Sequence, residues 1–160
     1  MWFLVAGAIV AAAAGAAAFV LTRTPYTVAV GAPIRHDDFL FTVTGIHRTR
    51  LADGTAQYRV TVLVQNRAKV VGYQWRDSIA YVRAFDHGGY GHNFFSATHG
   101  SFVIRAGDER TSNLTFDVPP GYSSANLRFW DGIFMGDAFN GGAYGNAIVP
   151  LEAYHPPFGT

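Results

Sequence analysis

From Trp2 to Leu21 the sequence holds no charged residue and, apart from the Trp2 indole, no polar side-chain atom. At about 1.5 Å per helical residue such a run reaches across a hydrocarbon core of roughly 30 Å. Lipid offers no water to the backbone, so a spanning segment of this kind has to be a helix. The rival reading is a cleaved signal peptide, which has a basic start and a shorter apolar stretch ending in small residues. No Lys or Arg precedes this run, and Phe19, Val20 and Leu21 carry it past the small residues Ala16 to Ala18. We therefore expect a retained transmembrane helix (signal anchor) over residues 1–21, a linker over 22–25, a folded domain over 26–152 and an extended tail over 153–160. Charge says little about orientation, with only the α-amino group on one side and Arg23 and Arg35 on the other. Along the helix Gly7, Ala11 and Gly15 fall four apart, beside Ala8, Ala12 and Ala16. Small-residue stripes let a second helix approach closely, which is what drives association in lipid. The plainer alternative is an Ala-rich span of the kind GC-rich genomes encode.

Beyond Pro25 the hydrophobic period is that of strands. Tyr58, Val60, Val62 and Val64 share one face of the segment 57–66, with Arg59, Thr61 and Gln65 opposite. Phe39, Phe41 and Val43 alternate in the same way, as do Ile79, Tyr81, Arg83 and Phe85, and Leu114, Phe116 and Val118. Shorter strands are expected at 102–105, around Leu127 and Phe129, and at 147–151. Asp53-Gly54 and Gly107-Asp108 mark turns, and Pro119-Pro120-Gly121 stops a strand. No amphipathic helical pattern follows residue 25. Seven or eight short strands without helices predict an all-β domain, an antiparallel immunoglobulin-like β-sandwich. There is no cysteine, so disulfides, thiolate metal sites and a Cys nucleophile are excluded and the core alone must hold the domain. The arginines are scattered and Lys69 is the only lysine, which gives nucleic-acid binding no basic stripe.

A set of short motifs resembles a known family. They are Val28-Ala29-Val30-Gly31, Asp38-Phe39-x-Phe41-x-Val43, Tyr58-x-Val60-x-Val62-x-Val64-Gln65-Asn66, Ala106-Gly107-Asp108-Glu109 and Leu114-Thr115-Phe116-Asp117-Val118-Pro119. Together they look like the bacterial extracytoplasmic immunoglobulin-like domains of unknown function in the superfamily of the mycobacterial immunoprotective secreted antigen. Ala106 stands where that pattern usually has Pro, and the segment 131–146 departs from it. The resemblance implies the fold and a location outside the cytoplasm; it carries over no catalytic residue.

Candidate chemistry is sparse. His87, His92 and His99 form the densest group of metal-ligand types, because imidazole suits Zn, Cu or Ni. Their spacings match no standard template, and a Gly-rich loop with solvated histidines explains 86–93 as well. Asp37-Asp38 and Asp108-Glu109 are neighbours whose side chains diverge on a strand. Ser96, His99 and Asp77 lack the nucleophile elbow of a hydrolase. No catalytic, cofactor or metal site is assigned. The aromatics Tyr73, Trp75, Tyr90, Phe94, Tyr122, Trp130, Phe134 and Tyr144 lie near expected loops and are the candidates for a contact surface. The sequence thus predicts a non-enzymatic module in the bacterial inner membrane, its domain on the periplasmic side, serving a larger integral membrane complex. A small-ligand, glycan or metal-binding protein is the alternative.

Overall fold

The computed structural model describes residues 25–36, 38–129 and 147–152. The expected anchor with Gly7, Ala11 and Gly15, the candidates Trp130, Phe134 and Tyr144, and the tail lie outside the described residues. No described helix is long and apolar enough to cross a membrane.

Eleven strands make up the described domain: β1 (Tyr26–Thr27), β2 (Pro33–His36), β3 (Phe39–Arg50), β4 (Ala56–Asn66), β5 (Tyr73–Arg76), β6 (Ala80–Phe85), β7 (Gly91–Phe95), β8 (Ser101–Ile104), β9 (Glu109–Val118), β10 (Ser123–Phe129) and β11 (Ala147–Pro150). One sheet has the order β1-β11-β10-β6-β7 and the other β2-β3-β4-β9; β5 and β8 form a two-stranded ribbon. Every pair is antiparallel except β1 on β11. The only described helical piece is a single 3-10 turn at Asp77–Ile79. The described domain is therefore an all-β sandwich, as its alternation predicts.

The core lies where the inner faces meet. Val60, Val62 and Val64 of β4, Leu114 and Phe116 of β9, and Val82 and Leu127 from the other sheet are all buried. Each such side chain contributes roughly 1.5–3 kcal/mol on leaving water. Phe41 stacks on Phe129 at 5.3 Å between centroids and meets Trp75 at 5.7 Å, so three large rings join both sheets and the ribbon. Four polar side chains are buried among the described residues, Asn66, Asp77, Ser96 and Ser112, and the first two organise hydrogen-bond networks. Asn66 donates through Nδ2 to the carbonyls of Val71 (2.7 Å) and Ile104 (3.1 Å) and accepts from the Ala68 amide through Oδ1 at 3.0 Å. Asp77 accepts from the Trp75 indole (2.8 Å), the Ser112 hydroxyl (2.8 Å) and the Gly100 amide (2.7 Å).

The sandwich has two distinct ends. Tyr26, Phe129, Phe39, Asn66 and Tyr73 gather at the end where the chain enters, tied together by register and ring contacts. The β3–β4 hairpin around Gly54, the β6–β7 turn, the β9–β10 turn and Glu152 gather at the far end.

Candidate functional site

A register shift in β3 decides what the far end presents. Phe41 and Val43 oppose Val64 and Val62, but a bulge between Val43 and Gly45 advances the pairing by one residue. From there Ile46, Arg48 and Arg50 oppose Val60, Tyr58 and Ala56. Residues directly opposite share a face, so the bulge carries Arg48 and Arg50 onto the inner-face line of the sheet, just beyond the core. Strict alternation from Phe41 would have sent both arginines outward.

The result is a cleft of about 140 Å³ lined by Arg48, Arg50, Tyr58, Tyr122, Glu152 and the Pro119-Pro120-Gly121 turn. The Arg48 guanidinium sits 5.7 Å from the Tyr58 ring centroid. The Tyr58 hydroxyl donates to Glu152 Oε1 at 3.3 Å. Burial pushes the Tyr58 phenol up to about 12; the Glu152 carboxylate adds to this and Arg48 opposes it. At the entry end burial alone pushes Tyr73 up to about 12. Both phenols are thus held neutral by the fold, and an unfolded tyrosine ionises near 10. The stability they lend is complete below about pH 10 and is lost as pH rises from there through about 12. Alkaline titration followed by phenolate absorbance and by circular dichroism should therefore show Tyr58 and Tyr73 ionising late, together with unfolding.

Beside the cleft an aromatic group forms. Tyr122 makes T-shaped contacts with both His92 and Phe94, each with centroids 5.1 Å away. His92 Nε2 lies 2.9 Å from Asp86 Oδ2, and Asp86 Oδ1 also caps the amides of Gly88 and Tyr90 at 2.9 Å. The His92 hydrogen bond first, and these amides after it, hold the Asp86 carboxyl below its ordinary range. Tyr90 at the tip of this turn is 73% exposed.

The expected residues divide accordingly. Phe94 and Tyr122 meet at the far end, where Tyr90 stands exposed on the β6–β7 turn, while Tyr73 packs half-buried on Phe39 at the entry end, 4.3 Å between centroids. Trp75 is corrected: it is fully buried with its indole bonded to Asp77, a core residue with no surface to offer. The segment read as a Gly-rich loop is a tight turn followed by β7 from Gly91. Among the described residues no three His, Cys, Asp or Glu side chains are placed to hold one metal ion. His87 sits by Gly121, His92 is taken by Asp86, and His99 is exposed between β7 and β8. Nor do Ser96, His99 and Asp77 form a triad: Asp77 is occupied as described, and the Ser96 hydroxyl pairs with Thr98 Oγ1 at 2.7 Å. The residues the sequence reading missed are Arg48, Arg50, Tyr58 and Glu152. Thr44-Gly45, where the alternation of β3 lapses, is the one signal that pointed to them.

No family model and no curated protein matches the sequence. Among solved structures, an uncharacterized β-sandwich protein from Clostridium difficile 630 is similar, with a TM-score of 0.52 at 14% identity. The match covers 81% of this chain and 95% of that one, a likeness of fold.

Proposed function

We propose that the chain is a non-enzymatic accessory module, anchored in the bacterial inner membrane by residues 2–21, whose sandwich braces a larger integral membrane complex from the periplasmic side. The observation that carries this reading is the far end itself. Arg48, Arg50, Tyr58 and Tyr122 line one shallow cleft, Phe94 packs on Tyr122 beside it, and Tyr90 stands exposed on the neighbouring β6–β7 turn, all opposite the end where the hydrophobic segment joins. Exposed Tyr and Arg beside a cleft are the residue types that dominate protein–protein contact energies. At about 140 Å³ the cleft falls below the roughly 300–1,000 Å³ of small-molecule sites, which favours a protein contact over a ligand pocket. The stripe Gly7, Ala11 and Gly15 gives the anchor a face for a partner helix, so both parts of the chain engage the same assembly.

The test is purification from native membranes in mild detergent. Arg48→Ala with Tyr122→Ala should fold and reach the membrane yet lose the co-purifying complex, since hot-spot residues are each worth about 2 kcal/mol or more. Gly7→Leu with Gly15→Leu should weaken the same association from the lipid side. A complex retained at wild-type levels by both double variants would overturn the bracing role.

A further inference from the structure

The entry end carries three exposed valines that the core does not use. Val70 is 87% exposed, Val71 65% and Val103 62%. They are one patch: Gly72 follows Val71, and a Cβ built on it would lie 3.5 Å from Val103 Cγ1. Asn66 fixes the loop that bears Val70 and Val71 to the end of β8 by holding the carbonyls of Val71 and Ile104 together. Exposed cations are interleaved with the valines, Arg67 and Lys69 before Val70 and Arg105 after Val103. Arg35 is exposed at the same end, and Asp38, Asp108 and Glu109 are the described carboxylates there. Glu109 is engaged by Gln65 Nε2 at 2.6 Å.

We propose that this end of the sandwich rests on the headgroup layer of an anionic bilayer, Val70, Val71 and Val103 dipping into it while Arg67, Lys69 and Arg105 pair with lipid phosphates. The inference rests on the reading of residues 2–21 as a membrane anchor. Reach selects the occupant. The five steps of chain from Leu21 to Tyr26 span at most about 18 Å, whereas the twelve residues of β3 make the sandwich about 40 Å long. A tether shorter than half the domain, attached at the valine end, turns that end to the membrane. Apolar side chains flanked by Lys and Arg suit this depth, because the long stems lie along the acyl boundary while their heads stay with phosphate and water. Three valines are few for a standard protein interface, which takes roughly 20–30 residues on each partner.

The chain has no cysteine, so one introduced thiol reports from one place. The full-length protein is reconstituted into phosphatidylglycerol-containing vesicles with an environment-sensitive fluorophore on Val70→Cys or, at the far end, on Ala52→Cys. The label at 70 should be quenched by lipid-borne quenchers and shielded from aqueous iodide about threefold relative to the label at 52, as burial at the acyl boundary requires. Adding Val71→Asp should abolish the shielding while the circular dichroism spectrum is kept. Equal iodide access at 70 and 52, with the protein still in the vesicle fraction after a high-salt wash, overturns the docking and leaves the anchor standing. Shielding at 70 without lipid quenching means that protein covers the patch, which also overturns it. Loss of the protein from the washed vesicles overturns anchor and docking together.

Discussion

Asp77→Ala is expected to destabilise the domain by about 3 kcal/mol, read from urea unfolding, although residue 77 faces no ligand and no cleft. Its two carboxyl oxygens accept three hydrogen bonds, from the Trp75 indole, the Ser112 hydroxyl and the Gly100 amide, all between 2.7 and 2.8 Å. Trp75 is fully buried and Ser112 nearly so, so Ala at 77 strands donors with no water to replace the carboxyl. Each stranded donor costs about 1–3 kcal/mol, and the relief of no longer burying a carboxyl offsets part of the sum. Asp77→Asn separates geometry from charge. Its remaining oxygen can serve Trp75 and Ser112, but its NH2 then meets the Gly100 N–H donor to donor, so a loss of about 1–2 kcal/mol is expected. The same carboxyl also keeps residue 100 a glycine, because a Cβ there would lie 2.7 Å from Asp77 Oδ2. An Ala variant as stable as wild type would show that water reaches this site and that Trp75 is held by packing alone.

Trp75 and Asp77 also show where reading the sequence stops. The strand 57–66 is legible because four aliphatic or aromatic residues at period two leave no other fold for it, and β4 runs Ala56–Asn66. The same rule read β3 only as far as Thr44, since a bulge changes which face later residues occupy and no propensity marks its depth. β7 is an edge strand whose Gly91, His92 and Asn93 mimic loop composition; only cross-strand pairing with β6 makes it a strand. Trp75 lies in Tyr73-Gln74-Trp75-Arg76, four residues with too little pattern to assign, and it reads as a surface aromatic. Its burial is decided by an acceptor two residues on. The far-end cleft was invisible for a related reason, because Arg48 and Tyr58 meet only through register. The two aromatic turns, at Tyr90 and at Tyr122, by contrast follow from local Gly and Pro punctuation.

Asn66→Asp should be the most damaging isosteric change in the domain, with a cost of about 3–5 kcal/mol at neutral pH. The side chain is 1% exposed, and its Nδ2 donates to two carbonyls while Oδ1 accepts one amide. Replacing NH2 by O⁻ removes both donated bonds and sets a charge against the Val71 and Ile104 oxygens in a dry site. The sign of the pH dependence follows. Burial, with two carbonyl oxygens facing the new charge and only the Ala68 amide to donate to it, raises the folded pKa of the introduced carboxyl above its unfolded value near 3.9, so the penalty is complete at neutral pH. It shrinks as pH falls through the raised folded value, because a protonated acid can again donate one O–H to one of the two carbonyls. The stability gap to wild type should therefore narrow steadily from pH 7 towards pH 4. Asn66→Ala, which brings no charge, should cost about 2–3 kcal/mol with no such trend. A gap for Asn66→Asp that stays constant across this range would mean that the carboxyl has reached water by opening the loop 67–72. That outcome would also detach Val70 and Val71 from the frame that presents them.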